Sequence, residues 1–168
     1  MQTDETLEEA VASKTGEGRF QLAISAGGAH FMADEPVAVG GLGSGPTPYQ
    51  LLAAALAACT TMTVQLYADR KGWAVRVHCT AVGHRREEGS IPADVFSRRI
   101  KFEGDITPEQ RTRLLEIADR CPVHRTLTEG ARVRTAEVLP EAAPATTHMA
   151  DMEALIAVGR GSFDFTEN

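Results

Sequence analysis

The stretch Gly40–Trp73, GGLGSGPTPYQLLAAALAACTTMTVQLYADRKGW, decides how the rest of the chain is read. It opens as a loop, because glycine and proline crowd its first nine residues and neither suits a helix or strand interior. A helix is predicted from Pro48, with Thr47 as N-cap and proline at the favoured first helical position. Leu52, Ala55, Leu56, Cys59, Met62 and Leu66 recur at helical spacing and predict one apolar face. Alanine at 53, 54, 55, 57 and 58 keeps the middle slim on every side, as suits a helix packed inside an assembly. Arg70, Lys71 and Gly72 supply the cations and the glycine of a helix C-terminus. The apolar run Leu51–Leu66 falls short of the roughly 20 residues a bilayer requires, so no membrane span is expected.

Around this helix the pattern is that of strands. FQLAIS and AHFMADEP flank Gly27-Gly28 and predict a β-hairpin, while residues 1 to 15 read as a mobile charged arm. WAVRVHCTAVGHR alternates, placing Val75, Val77 and Cys79 on a buried face. A polar turn, RREEGSIPAD, leads to a further strand, VFSRRIKFEGD. Thr107-Pro108-Glu109-Gln110 is a capping box opening a second helix, on which Leu114, Leu115, Ala118 and Cys121 share a face. RVRTAEVL closes with a short strand, and 140–168 form an extension with a linker and a short amphipathic helix. The order gives an α+β fold with antiparallel sheet, in a single domain over 16–139.

The 168 residues carry 23 acidic and 17 basic side chains, a net charge of −6 that repels phosphate backbones and argues against a nucleic-acid partner. The N-terminus is acidic and lacks an apolar signal core. Three cysteines without CxxC spacing fit neither a zinc knuckle nor a disulfide scaffold, so a cytoplasmic protein with reduced thiols and no metal or cofactor is expected. His30, His78 and His84 are read as solvent-facing, and Asp34-Glu35-Pro36 as a turn in which a paired-carboxylate role stays open.

Chemistry concentrates on Cys59 and Cys121. A thiolate attacking a peroxide leaves a sulfenic acid, and a second thiol condenses with it to a disulfide. Cys59, in an apolar pocket, suits the first role, with Arg19 as a candidate activating cation, because burial alone raises a thiol's pKa. Cys121 is read at the C-terminal end of its helix, where the dipole disfavours a thiolate and a resolving role fits best. Spacing alone leaves packing an equally good account of both, since reduced cysteine is among the most buried residue types.

The two cysteine segments, Gly40–Trp73 and IADRCPVHRTL at 117–127, together resemble the signatures of the OsmC/Ohr family. ADEP, GPTPY and YADRKGW are most similar to its OsmC-like, YhfA-type branch. The resemblance runs from about Phe20 to Leu139 and implies antiparallel sheets around two central helices in an intertwined homodimer. It implies an organic hydroperoxide reductase, with Cys59 peroxidatic, Cys121 resolving, and a dithiol reductant such as a lipoylated protein. Where Ohr members have a glutamate that holds an arginine over the thiolate, this chain has Tyr49, followed by Gln50, which can only hydrogen-bond Arg19. That departure leaves a second reading, an OsmC-like binding or redox-sensing protein with little turnover.

Overall fold

The computed structural model describes residues 9–135. These comprise strands β1 (Ala10–Lys14), β2 (Leu22–Ala26) and β3 (Ala29–Ala33), and helix α1 (Pro48–Arg70). Strands β4 (Val75–Arg86) and β5 (Asp94–Gly104) and helices α2 (Pro108–Ala118) and α3 (Pro122–Glu129) follow. The fold is α+β with antiparallel sheets, as the sequence predicts. The described residues fall into two compact units, 9–52 with 134–135, and 53–133.

In the first unit β1, β2 and β3 form an antiparallel meander. Gly27 and Gly28, both at positive φ, make the two-residue turn that closes Ala26 against Ala29. The arm expected over 1–15 is strand from Ala10 onward, because Ala10–Lys14 supply a register-matched edge for β2. Asp34 holds the glycine-rich loop together. Its carboxylate accepts from the Glu35 and Leu42 N–H groups at 2.8 and 2.9 Å and from the Ser44 hydroxyl at 2.9 Å. Burial opposes the charge, but these bonds outweigh it and hold the Asp34 carboxyl below its ordinary value. Asp34 is therefore a loop anchor, not half of a carboxylate pair. The loop also needs Gly45 to lack a side chain, since a Cβ there would lie 1.9 Å from the Met32 carbonyl oxygen. Thr47 and Gln50 then open α1 with reciprocal bonds, Thr47 N–H to Gln50 Oε1 at 2.8 Å and Gln50 N–H to Thr47 Oγ1 at 3.3 Å.

In the second unit the β4–β5 hairpin, α2 and the C-terminal part of α1 enclose a core of Val64, Tyr67, Ala68, Val75, Val77, Leu114, Ile117 and Ala118. Gln65 ties α1 to β4, accepting from Val77 N–H at 2.8 Å and donating to the Val75 carbonyl at 3.2 Å. The buried face of α1 is rotated from the one predicted: it carries Ala53, Leu56, Cys59, Thr60, Thr63, Val64, Tyr67 and Ala68, while Leu52 and Met62 are exposed. A helix apolar on all sides gives periodicity nothing to distinguish, so the neighbours decide which side is covered. At 23 residues α1 is also long and apolar enough to cross a bilayer by length and composition, contrary to the shorter run read from the sequence. Its buried face packs instead into the protein core, as a core helix does.

Three further expectations change. A β-bulge between Val77 and Cys79 shifts the register, so Cys79 is exposed opposite Lys101 and not in the core. Residues 132–135 of the expected closing strand have no regular structure, and the remainder of that strand and the 140–168 extension lie outside the described residues. Finally, α2 ends at Ala118, three residues before Cys121. The ADRC turn separates two helices, and Cys121 is the N-cap of α3, with Pro122 at N1.

Candidate functional site

The second unit brings Cys59 and Cys121 together. Both are buried, at 2% and 0% exposure, and their thiols hydrogen-bond each other without a disulfide. Leu56, Val82, Phe96, Val123 and Leu127 surround them with apolar surface. Each sulfur takes one N–H from the first turn of α3. Val123 N–H donates to Cys59 Sγ and His124 N–H to Cys121 Sγ, each at 3.4 Å. Proline at N1 starts α3 with φ already set, and a side chain at the N-cap accepts from N3 by ordinary capping geometry. Here that side chain is a thiol.

The placement of Cys121 reverses the electrostatics expected from the sequence. A helix N-terminus favours a thiolate, where the C-terminus of α2 would have opposed it. The Cys121 thiol is drawn down to about 6, first by the Cys59 hydrogen bond and, against the penalty of burial, by His124 N–H, Thr60 and the charge of Arg98. Cys59 moves the other way: donating to Cys121 and lying in apolar surroundings raise its pKa, and Val123 N–H offsets only part of this. Within the reduced pair, negative charge is thus favoured on Cys121 over Cys59.

Arg98 is a residue that the sequence reading passed over. It projects from β5 at 14% side-chain exposure, and its Nη1 donates to Thr60 Oγ1 at 3.0 Å and to the Ala118 carbonyl at 2.9 Å. Its Nη2 pairs with Asp119 Oδ1 at 2.6 Å. Thr60 Oγ1 in turn lies 3.7 Å from Cys121 Sγ. One signal for Arg98 was present: it shares the parity of Phe96, Ile100 and Phe102, so it falls on the inward face of an alternating strand. His84 is likewise not solvent-facing. Its Nε2 meets Asp94 Oδ1 at 2.9 Å, and its ring lies 4.8 Å from that of Phe96, which packs on the two cysteines.

The other candidates, Arg19, Tyr49 and Gln50, belong to the first unit. The Arg19 guanidinium lies over the Phe20 ring at 5.2 Å. Tyr49 is exposed. Gln50 Oε1 accepts the Thr47 N–H at 2.8 Å at the start of α1, a capping role. Among the described residues no cluster of three or more His, Cys, Asp or Glu side chains could hold a metal ion.

Comparison with known proteins adds a family and a fold. The OsmC-like protein family matches residues 41–136, a span that contains both buried cysteines. A candidate osmotic stress induced and detoxification response protein of Psychrobacter arcticus 273-4 superposes with a TM-score of 0.56 at 18% identity, over 71% of this chain and 88% of its own. An OsmC-like protein of Mycoplasma pneumoniae gives 0.53 at 19% identity, over 73% and 88%. The organic hydroperoxide resistance protein OsmC of Legionella pneumophila gives 0.51 at 18%, over 73% and 90%. At these identities the likeness speaks for the fold. No curated protein sequence matches the chain.

Proposed function

The chain belongs to the OsmC-like protein family, and from that premise we propose that it reduces organic hydroperoxides through Cys59 and Cys121. The observation that carries this reading is the buried pair of thiols, each accepting an N–H from the first turn of α3. The apolar walls suit a substrate with a hydrocarbon body. Cys59 attacks the terminal oxygen of ROOH as its proton passes to the Cys121 thiolate, giving a Cys59 sulfenic acid and RO⁻. That alkoxide takes the proton from Cys121 and leaves as ROH. The restored Cys121 thiolate attacks the sulfenic sulfur, forming the disulfide and expelling hydroxide. A dithiol then reduces the disulfide by two exchange steps, becoming a disulfide itself.

In this proposal Arg19 is the cation supplied to the peroxide in an assembled homodimer. The exposure of Met62 on α1 (53%) and of Phe31 and Met32 on β3 supports a dimer, because unpartnered apolar surface of this kind marks an interface. Light scattering should then return about twice the 18.0 kDa chain mass. A cytoplasmic setting follows from the need to keep the pair reduced.

One equivalent of cumene hydroperoxide should remove two thiols and lower the intact mass by two hydrogens, mapped to Cys59 and Cys121. Unchanged thiols would instead favour binding or sensing without turnover. The lack of a carboxylate at Tyr49 or Gln50 to pair with Arg19 favours this second reading.

A further inference from the structure

We infer that Thr60 and Arg98 are positioning residues for Cys121: Arg98 fixes the Thr60 hydroxyl as a donor to the Cys121 sulfur, so that Cys121 is the leaving thiolate when the disulfide is reduced and the dithiol attacks Cys59. The inference rests on the reading that the pair cycles through a disulfide.

The argument is one of donor and acceptor counting. A guanidinium only donates. Arg98 Nη1 carries two hydrogens and meets two acceptors, Thr60 Oγ1 and the Ala118 carbonyl. Its Nη2 is held by Asp119, which anchors the group from a second side. Thr60 Oγ1 therefore spends a lone pair on Arg98 and keeps its hydrogen for Cys121 Sγ, 3.7 Å away, whenever that sulfur is a thiolate and can only accept. A hydroxyl that accepts from a cation is the better donor for it, because bonds in a chain polarise one another. With His124 N–H, Cys121 then has two donors of its own, one of them backed by the Arg98 charge. Cys59 likewise has Val123 N–H and the buried Thr63 hydroxyl, so what sets Cys121 apart is the Arg98 cation bound to its Thr60 donor.

This asymmetry selects the direction of exchange. When a thiolate attacks a disulfide, the sulfur that better bears negative charge departs. The dithiol R(SH)₂, as its monothiolate, attacks Cys59 Sγ; an S–S bond forms between R and Cys59 while the Cys59–Cys121 bond breaks and its electron pair leaves on Cys121. The second thiol of R, deprotonated in turn, displaces Cys59, which takes up that proton. Balance is met by the dithiol alone.

The test uses the full chain with Cys79→Ser, in which only the buried pair titrates, and three variants: Thr60→Val, Thr60→Ser and Arg98→Met. The ultraviolet absorbance of thiolate is followed against pH on the reduced protein. In parallel the disulfide is made with diamide, so that no peroxide chemistry is needed, and its reduction by dihydrolipoamide is timed. Thr60→Val should raise the thiolate midpoint by about one to two units, the 10- to 100-fold worth of a hydrogen bond to a charged group, and slow reduction several-fold. Thr60→Ser should restore both, and Arg98→Met should shift the midpoint the same way as Thr60→Val. A mixed disulfide quenched early should map to Cys59. An unchanged midpoint in Thr60→Val, or a mixed disulfide on Cys121, would overturn the inference. If Arg98→Met does not fold, the Val and Ser pair at Thr60 still decides it. Failure of cumene hydroperoxide to oxidise the wild type would count against the peroxidase reading alone, since neither readout depends on peroxide.

Discussion

Replacing Cys121 by serine should remove a pH-dependent part of the stability, and its size follows from the site. The Cys121 thiol is held at about 6 in the folded chain against an ordinary value of 9.0. Its folded pKa lies below the unfolded one, so between about pH 6 and 9 the unfolded chain binds more protons, and stability must rise with pH across that window. The contribution is complete above about pH 9, where three units amount to about 4 kcal/mol, and is lost as pH falls through about 6. At pH 7 it is about 1 kcal/mol, with roughly nine-tenths of Cys121 ionised, and at pH 8.5 about 3 kcal/mol. Cys59 acts in the opposite sense only above about pH 9, because its pKa is raised and its ionisation favours the unfolded chain there. Calorimetry of reduced wild type and Cys121→Ser at one protein concentration, from pH 5.5 to 8.5, isolates the effect. The Tm difference should grow by up to about 10 °C across the range, at about 2–4 °C per kcal/mol for a chain of this size. A flat difference, or one that widens on acidification, would refute the placement of the charge on Cys121.

Under the peroxidase reading Cys59→Ser should abolish consumption of cumene hydroperoxide, and Cys121→Ser should allow one turnover at most, read as peroxide lost per chain in a single burst. In Gly45→Ala the added methyl collides with the Met32 carbonyl, and the urea midpoint should fall by the equivalent of about 3 kcal/mol. Asp34→Asn turns an acceptor-only carboxylate into an amide beside the Leu42 and Ser44 N–H groups. Limited proteolysis should then cut the 35–47 loop faster than in wild type. Lowering the pH should have the same effect on the wild type, since a depressed carboxyl loses its stabilising charge as pH falls through its folded value.

Local signals read well wherever one residue type has one use. The Gly27-Gly28 turn, the Thr107–Gln110 capping box and the stop at Gly72 are each set by a few adjacent atoms, and each forms where it was expected. The meeting of Cys59 with Cys121 was also legible, through motifs that resemble a family and not through spacing. What stayed hidden depends on neighbours distant in sequence. The covered side of α1 is chosen by β4, β5 and α2, because Leu52, Met62 and the alanines are apolar whichever way they face. One bulged residue after Val77 turned Cys79 outward, and alternation cannot foresee an insertion in its own period.

The misreading of Cys121 shows how much chemistry can hang on a helix boundary. CP in a sequence marks the end of one helix and equally the start of the next, and the two choices place opposite partial charges on the sulfur. At a C-terminus Cys121 would be a reluctant thiolate needing help from elsewhere. As the N-cap of α3 it receives His124 N–H, and the same turn offers Val123 N–H to Cys59, so one helix start serves both sulfurs. The activating cation was sought for Cys59, because burial alone raises a thiol's pKa. With the charge favoured on Cys121, the cation that matters to it is the one behind Thr60, and Arg98 stands there on the inward face of β5. A short turn between two helices thus determines which sulfur is the acid of the pair, and with it the order in which the pair's bonds should form and break.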